Sequence, residues 1–333
     1  MRMPCPTLFT TLKCAAAILL GSTVPAATPL RAGDDYPSRH VRVVTNAGVG
    51  STPDLLMRIV ADELSRQWSQ QLVIENNSTG GGAVAVQQAA EASPDGYTLL
   101  LASASAFTVL PERVAQAATA KPDRLSPIAL LGTSPMAIAA SRTLGVASIG
   151  ELIDLAKREP SRIFYAANAT GSLPHMTGEH FKARTGAPLT FVPYRGAADA
   201  LTGVLSGQIG AIIENFATLE GAIQSGDLVL LAFSATQRLP NFPDVPTVSE
   251  AVPGFVAVGW AALMAPAGVP DAIVEKIHAD VGLVVAEPRV RQRLIGLGIY
   301  PDQLSIADLG RFIGEEQAVW RPVVRAIVAG QKK

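Results

Sequence analysis

The sequence predicts an α/β fold of two lobes, each a central sheet flanked by helices, with a ligand cleft between them. Three observations lead there. Short apolar runs alternate with segments of helical spacing across brief connections, the pattern of a parallel sheet with helical faces. A strand that runs into a small polar loop and then a helix occurs at residues 40–55 and recurs around Gly171, so two such junctions can face each other. The chain is also long enough for two cores, and a polar, proline-marked stretch at 236–246 offers a place to recross between lobes.

The N-terminus reads as a secretory signal peptide over residues 1–26. Arg2 and Lys13 flank a basic start, Ala15-Ala16-Ala17-Ile18-Leu19-Leu20 is apolar but too short to span a membrane, and Val24-Pro25-Ala26 supplies small residues at cleavage spacing. Both cysteines, Cys5 and Cys14, lie inside it, which removes disulfide, thiolate and cysteine-metal chemistry from the expected mature chain. Taking Arg2 and Lys13 from the 27 basic residues leaves 25 against 28 acidic ones, a formal charge of about −3. That balance, with no basic cluster, argues against nucleic acid as a partner.

The first lobe is expected over residues 27–125. His40-Val41-Arg42-Val43-Val44 is a strand, and Leu55, Leu56, Ile59, Val60 and Leu64 carry helical spacing. Between them Ala47, Gly48, Gly50 and Ser51 permit close approach of backbone to a ligand. Thr52 is placed to cap the helix, and Pro53 fits its first position. The unpaired N–H groups of that first turn favour a carboxylate or phosphate. Asp54 competes for the same groups and is read chiefly as an organiser of the helix start. A strand at 71–75, a loop at 76–82, a helix at 83–92, the turn Pro94-Asp95-Gly96 and a strand at 97–101 complete the unit, which ends in Ser103-Ala104-Ser105.

The second lobe is expected over 126–236. Strands are read at 128–131, 136–140 and 163–166, with a helix at 149–157. The strand at 163–166 enters Asn168-Ala169-Thr170-Gly171-Ser172 and then a helix, so Asn168, Thr170 and Ser172 offer compact donors and acceptors around a flexible Gly171. His175 is placed behind the contact layer, and His180 at the surface; five residues apart, the two make poor metal ligands, and no metal is expected. After a strand at 189–192, Tyr194 is placed beside Arg195, whose planar guanidinium is the best fixed cation for an anion. A strand at 209–213 delivers Glu214-Asn215, of which Asn215 is the better ligand neighbour. Residues 237–333 are read as the return to the first lobe and three C-terminal helices, at 271–285, 288–297 and 306–328.

Chemistry is conspicuously thin. Gly48-Val49-Gly50 follows a strand, but Pro53 stands where a dinucleotide fingerprint needs its third glycine, so no cofactor is expected. Ser103, Ser105 and Ser172 lack a glycine-flanked nucleophile elbow, and no phosphate loop is present. Strand-end loops of small polar residues without a base or nucleophile suit grasping better than reacting, so an enzyme is not expected.

These stretches together resemble the extracytoplasmic solute-binding receptors of tripartite tricarboxylate transporters, the Bordetella uptake gene family. The resemblance runs through residues 43–58, 76–101 with Pro94-Asp95-Gly96-Tyr97-Thr98-Leu99-Leu100, 171–181, and 191–207 with Pro193-Tyr194-Arg195-Gly196. It continues through Pro243-Asp244-Val245-Pro246-Thr247-Val248-Ser249-Glu250, Trp260 and Ala265-Pro266-Ala267-Gly268-Val269-Pro270. It implies a type II-like periplasmic binding protein fold that closes by a hinge on a small organic carboxylate, held between the loop from Ala47 to Asp54 and that from Asn168 to Ser172, partly through water. It further implies a periplasmic monomer whose partners are the membrane components of such a transporter or, alternatively, a sensor kinase. The chain departs from the family's proline- and glycine-rich first loop: Thr45-Asn46-Ala47-Gly48-Val49-Gly50-Ser51-Thr52-Pro53-Asp54 puts a proline between threonine and aspartate.

Overall fold

A computed structural model of the chain describes residues 35–77, 79–104, 107, 122–160, 162–168 and 170–330. The expected signal peptide and Ser105 lie outside these. Residues 32–333 cluster as one unit.

The first half is built on β1 (Val41–Thr45), α1 (Thr52–Trp68), β2 (Leu72–Asn76), α2 (Ala83–Ala90) and β3 (Thr98–Ser103). β1 lies between β2 and β3, parallel to both, with Val43 opposite Ile74 and Leu99. Side chains on a strand point alternately to the two faces, and here both faces are buried. Val41, Val43, Leu99 and Leu101 pack with Leu56, Ile59, Val60 and Leu64 of α1, while Val44, Leu100 and Ala102 pack with Ala85, Val86 and Ala89 of α2. This explains why the strands read as continuous apolar runs.

β4 (Leu125–Ser141) joins the two halves. Leu125 to Pro135 pair antiparallel with β9 (Val258–Pro266), which also pairs with β3; Met136 onward pairs with β7 (Ala211–Asn215) and β8 (Leu228–Phe233). The two strands expected at 128–131 and 136–140 are therefore one, and the boundary expected at residue 126 moves to about 135. Gly132-Thr133-Ser134-Pro135 resembles a turn, yet an outer position in the first half's sheet tolerates proline. Gly132 is needed for a close approach, since a Cβ there would come within 3.0 Å of the Tyr300 carbonyl oxygen.

The second half contains α3 (Ile149–Arg158), β5 (Phe164–Ala167), α4 (Leu173–Thr185), β6 (Thr190–Pro193), α5 (Ala197–Leu205), β7, α6 (Phe216–Gln224) and β8. β5 is parallel to β6 and β7. Met136, Ile138, Tyr165 and Ile213 pack with Met176 and Phe181 of α4, and Ala137, Ala139, Ala166 and Ile212 pack with Ala200 and Val204 of α5.

The return comes later than expected. Leu239, Phe242 and Val245 pack with the second half, as do Val248 of α7 (Val248–Ala251), Val252 and Phe255. The chain recrosses only at β9, because the polar prolines of 236–246 punctuate a loop that is anchored on aromatic rings. Phe242 lies 4.4 Å from Phe216 and 5.3 Å from Phe233, centroid to centroid.

Helices α8 (Asp271–Ala286) and α9 (Pro288–Gly296) cover the first half. α10 (Ile306–Gly330) touches both halves: Leu309 and Ile313 join the first core, and Trp320, Val323 and Val324 the second. His180, expected at the surface, is buried against Phe255 at 4.9 Å and Trp320 at 5.7 Å. Burial, and then the nearby Arg184 charge, hold its pKa below the usual histidine value.

Candidate functional site

The first wall is the start of α1. Gly50 adopts a positive φ of 77°, and Ser51, extended at φ −71° and ψ 160°, is the residue that begins the helix. The cap position is thus one residue earlier than expected, and Thr52 is the first helical residue, followed by Pro53. Ser51 Oγ is buried with no hydrogen-bond partner among the described residues.

Asp54 stands in the first turn and is 1% exposed. Its carboxylate accepts the Gly50 N–H at 2.8 Å, Asn76 Nδ2 at 2.8 Å, and Arg58 Nε and Nη2 at 3.0 and 3.1 Å. Burial pushes its pKa up, but the bonds from Arg58, Asn76 and Gly50 outweigh that and hold it below the usual carboxylate value. Asp54 is fully occupied in shaping the loop. Asn76 also donates to the Ala47 carbonyl at 3.1 Å, and Asn46 Nδ2 reaches Ser103 Oγ at 2.8 Å, tying the three strand ends together.

The second wall is the start of α4 and repeats that geometry. Gly171 has φ 82°, and Ser172, at φ −68° and ψ 162°, is the cap, with Pro174 in the first turn. Ser172 Oγ accepts the His175 N–H at 3.4 Å, and His175 Nδ1 accepts the Gly171 N–H at 2.9 Å, the bond that Asp54 makes to Gly50 in the first wall. The imidazole is stacked 3.9 Å from Phe191, which fixes its orientation. Asn168 Oδ1 is buried and has no hydrogen-bond partner among the described residues.

Behind this wall lies Glu214, 1% exposed. Its Oε1 accepts the Asn215 N–H at 3.0 Å and Asn215 Nδ2 at 3.3 Å, while Oε2 is buried without a partner among the described residues. Burial pushes its pKa up to about 7, against the pull of the Asn215 and Asn168 backbone N–H groups.

Between the walls is a cavity of about 280 Å³. It is lined from the first half by Thr52, Pro53, Leu56, Ser103, Ala104, Gly259, Trp260, Ala261 and Ile299, from the second by Met136, Asn168, Ser172, Leu173, Pro174 and Asn215, and by Gly132 and Ser134 of the joining strand. Of the residues singled out from the sequence, Thr52, Ser103, Asn168, Ser172 and Asn215 are brought together here. Ala47 is buried beside the loop, Gly48 is exposed, Ser51, Asp54 and Gly171 support the helix starts, and Thr170 lines a separate groove with His175. Arg195 is exposed and outside the lining, and Tyr194 packs over Gly203 of α5. The walls approach closely: a Cβ on Gly259 would lie 3.0 Å from Leu173 Cδ2. Among the described residues no group of three His, Cys, Asp or Glu could hold a metal.

Sequence reasoning missed Leu56, Ser134, Met136, Leu173 and Ile299. Trp260 was visible only as part of a motif. Leu56 and Leu173 read as helix-core positions, and nothing local shows that they also border a cavity.

Residues 56–328 match the model of the family described as "Tripartite tricarboxylate transporter family receptor". The chain belongs to this receptor family. A UPF0065 protein of Bordetella bronchiseptica is 32% identical over 93% of this chain and 91% of its own length. Among solved structures, one from R. palustris with adipate is 29% identical with a TM-score of 0.74, covering 88% of this chain and 98% of that one. MatC from Rhodopseudomonas palustris with bound malate is 28% identical with a TM-score of 0.69, covering 87% and 100%. The receptor is thus a solute-binding protein with a periplasmic binding-protein-like fold of sheets flanked by helices. Its family match begins at residue 56, just past the loop that departs from the family pattern.

Proposed function

We propose that this receptor captures a small organic carboxylate in the cavity between its halves, closes on it by bending at the shared elements, and presents it in the periplasm to the membrane components of a tripartite tricarboxylate transporter. The observation that carries this reading is the pairing of two helix starts, Gly50-Ser51-Thr52-Pro53 and Gly171-Ser172-Leu173-Pro174, on opposite walls of one cavity. Each provides the positive end of a helix dipole, which favours an anion.

The adipate and malate held by two similar proteins support a small acid as ligand. Closure follows from differential binding: a ligand touching both walls favours the state in which they approach. β4, the 234–258 segment and α10 link the halves, an arrangement that permits bending and resists free tumbling. No bond is made or broken in this cycle, so the chain acts as a receptor and not as an enzyme.

The test is native mass spectrometry of the purified protein for retained ligand, followed by calorimetry on a panel of carboxylates. Micromolar or tighter binding of at least one acid, with a smaller radius of gyration on saturation, is expected. A neutral compound that binds when no carboxylate or related anion does would overturn the reading.

A further inference from the structure

Trp260 borders the cavity, yet its Nε1 is buried and has no hydrogen-bond partner among the described residues. Because that atom is itself buried, its N–H points into the protein and not into the cavity. Buried donors are nearly always paired, so this one calls for an acceptor. The group beside it is Glu316 of α10, 8% exposed, whose carboxyl is pushed up to about 7 by burial and drawn back by the Trp320 and Trp260 side chains. Glu316 Oε2 accepts the Trp320 Nε1–H at 3.0 Å. A carboxylate has about four acceptor sites, so capacity for a second indole remains. The Trp260 indole is thus near enough to act on the carboxyl, without a formed bond.

The connections between the halves come together at this point. Trp260 lies on β9 two residues after Val258, where that strand begins, and pairs with Thr133, two residues before Pro135, where β4 leaves the first half. Its ring lies 6.1 Å from Phe312 of α10. Glu316 stands on the same helix between Ile313, in the first half's core, and Trp320, in the second's. Trp320 in turn lies 5.7 Å from His180 of α4, the helix whose start at Ser172 forms the second wall. Packed groups therefore run from one wall of the cavity, through Glu316, to the helix that carries the other.

We infer that Glu316 is a positioning residue for closure: a ligand that fills the cavity seats Trp260 so that its N–H bonds to the Glu316 carboxylate, which through Trp320 holds the halves in their closed arrangement. The inference rests on the closure reading above and needs no contact between Glu316 and ligand. A bond absent from the empty protein and present in the closed one adds to the difference in affinity between the two states, which is what drives closure. An ionised acceptor makes that bond one of the stronger kind.

Calorimetry and small-angle X-ray scattering on the purified protein test this with acetate, benzoate, malate, adipate and citrate, the tightest of which is carried into Trp260→Phe, Glu316→Leu and the double variant. Trp260→Phe keeps a ring on the cavity wall and removes the N–H; Glu316→Leu removes the acceptor. Each single variant is expected to bind about tenfold more weakly and to contract less on saturation than the wild type. The double variant should match the weaker single variant within about twofold, because both changes remove the same bond. Glu316→Gln keeps an acceptor, so it should recover part of the loss, and it completes the same cycle if Glu316→Leu fails to fold. Losses that multiply in the double variant, or a Glu316→Leu protein that binds and contracts as the wild type does, overturn the inference and leave the closure reading intact. A wild type that binds none of these acids, or binds one without contracting, overturns both.

Discussion

The two walls of the cavity share a helix start but differ in the buried acid that each keeps. In both, a glycine with positive φ, a serine cap and a proline in the first turn lead to a side chain that accepts the glycine N–H four residues back. In the first wall that acceptor is Asp54, an ionised carboxylate with donors from Gly50, Arg58 and Asn76. In the second it is His175, and the buried acid, Glu214, sits behind the wall with an unpartnered oxygen. The difference shows how the proposed anion site tolerates acids of its own. One is neutralised by a full set of donors; the other is pushed by burial toward its uncharged form. The first solution is rigid, and the second depends on pH.

The largest effect that would break this comparison is expected from Asp54→Ala. It leaves the Gly50 N–H and Asn76 Nδ2 without their acceptor and frees Arg58, and should cost about 2–3 kcal/mol in urea unfolding. The lower part of the range applies to Asp54→Asn, which keeps one acceptor. If Asp54→Ala is as stable as the wild type, the carboxylate is not what shapes the first wall.

Glu214→Gln should act in the opposite direction. A carboxyl whose folded pKa is raised from 4.5 to about 7 stabilises fully below 4.5 and loses that contribution as pH rises through 7. The upper limit is about 3 kcal/mol, and burial of the amide takes part of it back, so a gain of about 1–2 kcal/mol at pH 8 is expected, with little change at pH 4.5. Glu316, buried near Trp320 and also pushed up to about 7 by burial, gives wild type and variant the same background slope. Asp54 has the contrary sign. Its folded pKa lies below 3.8, so its contribution is present above 3.8 and disappears as pH falls through the folded value. A Glu214→Gln variant with unchanged melting curves at both pH values would remove the charged half of the comparison.

The serine caps provide the finest distinction. Ser172→Ala removes an acceptor for the His175 N–H and should cost about 1 kcal/mol, whereas Ser51→Ala removes a hydroxyl with no bond among the described residues and should cost about 0.5 kcal/mol or less. Equal losses in thermal unfolding would show that the two helix starts are capped alike.

The helix starts were legible because their causes are local. Glycine, serine and proline within one turn set the backbone whatever lies around them, and only the cap moved, from Thr52 to Ser51. The role of Asp54 was legible for the same reason: Gly50 and Arg58 lie four residues to either side of it. Arg195 illustrates the limit. Its chemistry suits an anion, but its place at the end of β6 leaves it exposed, and no local pattern tells which strand ends share a cleft. His180 was misplaced because α4 has almost no amphipathic face to read: it is covered by β strands on one side and by Phe255 and Trp320 on the other.

By itself the sequence determined the α/β class, the order of most elements, the two anion-favouring helix starts and the family. The first three depend on periodicity or on residues within a turn of one another, and the family on a resemblance carried by short motifs in order along most of the chain. Only the tertiary structure decided that residues 125–141 form one strand shared by both halves, that the chain recrosses at β9, and that Leu56, Met136, Trp260 and Ile299 meet around one cavity. Those outcomes follow from strand register and from the packing of residues far apart in the chain, which no local propensity encodes.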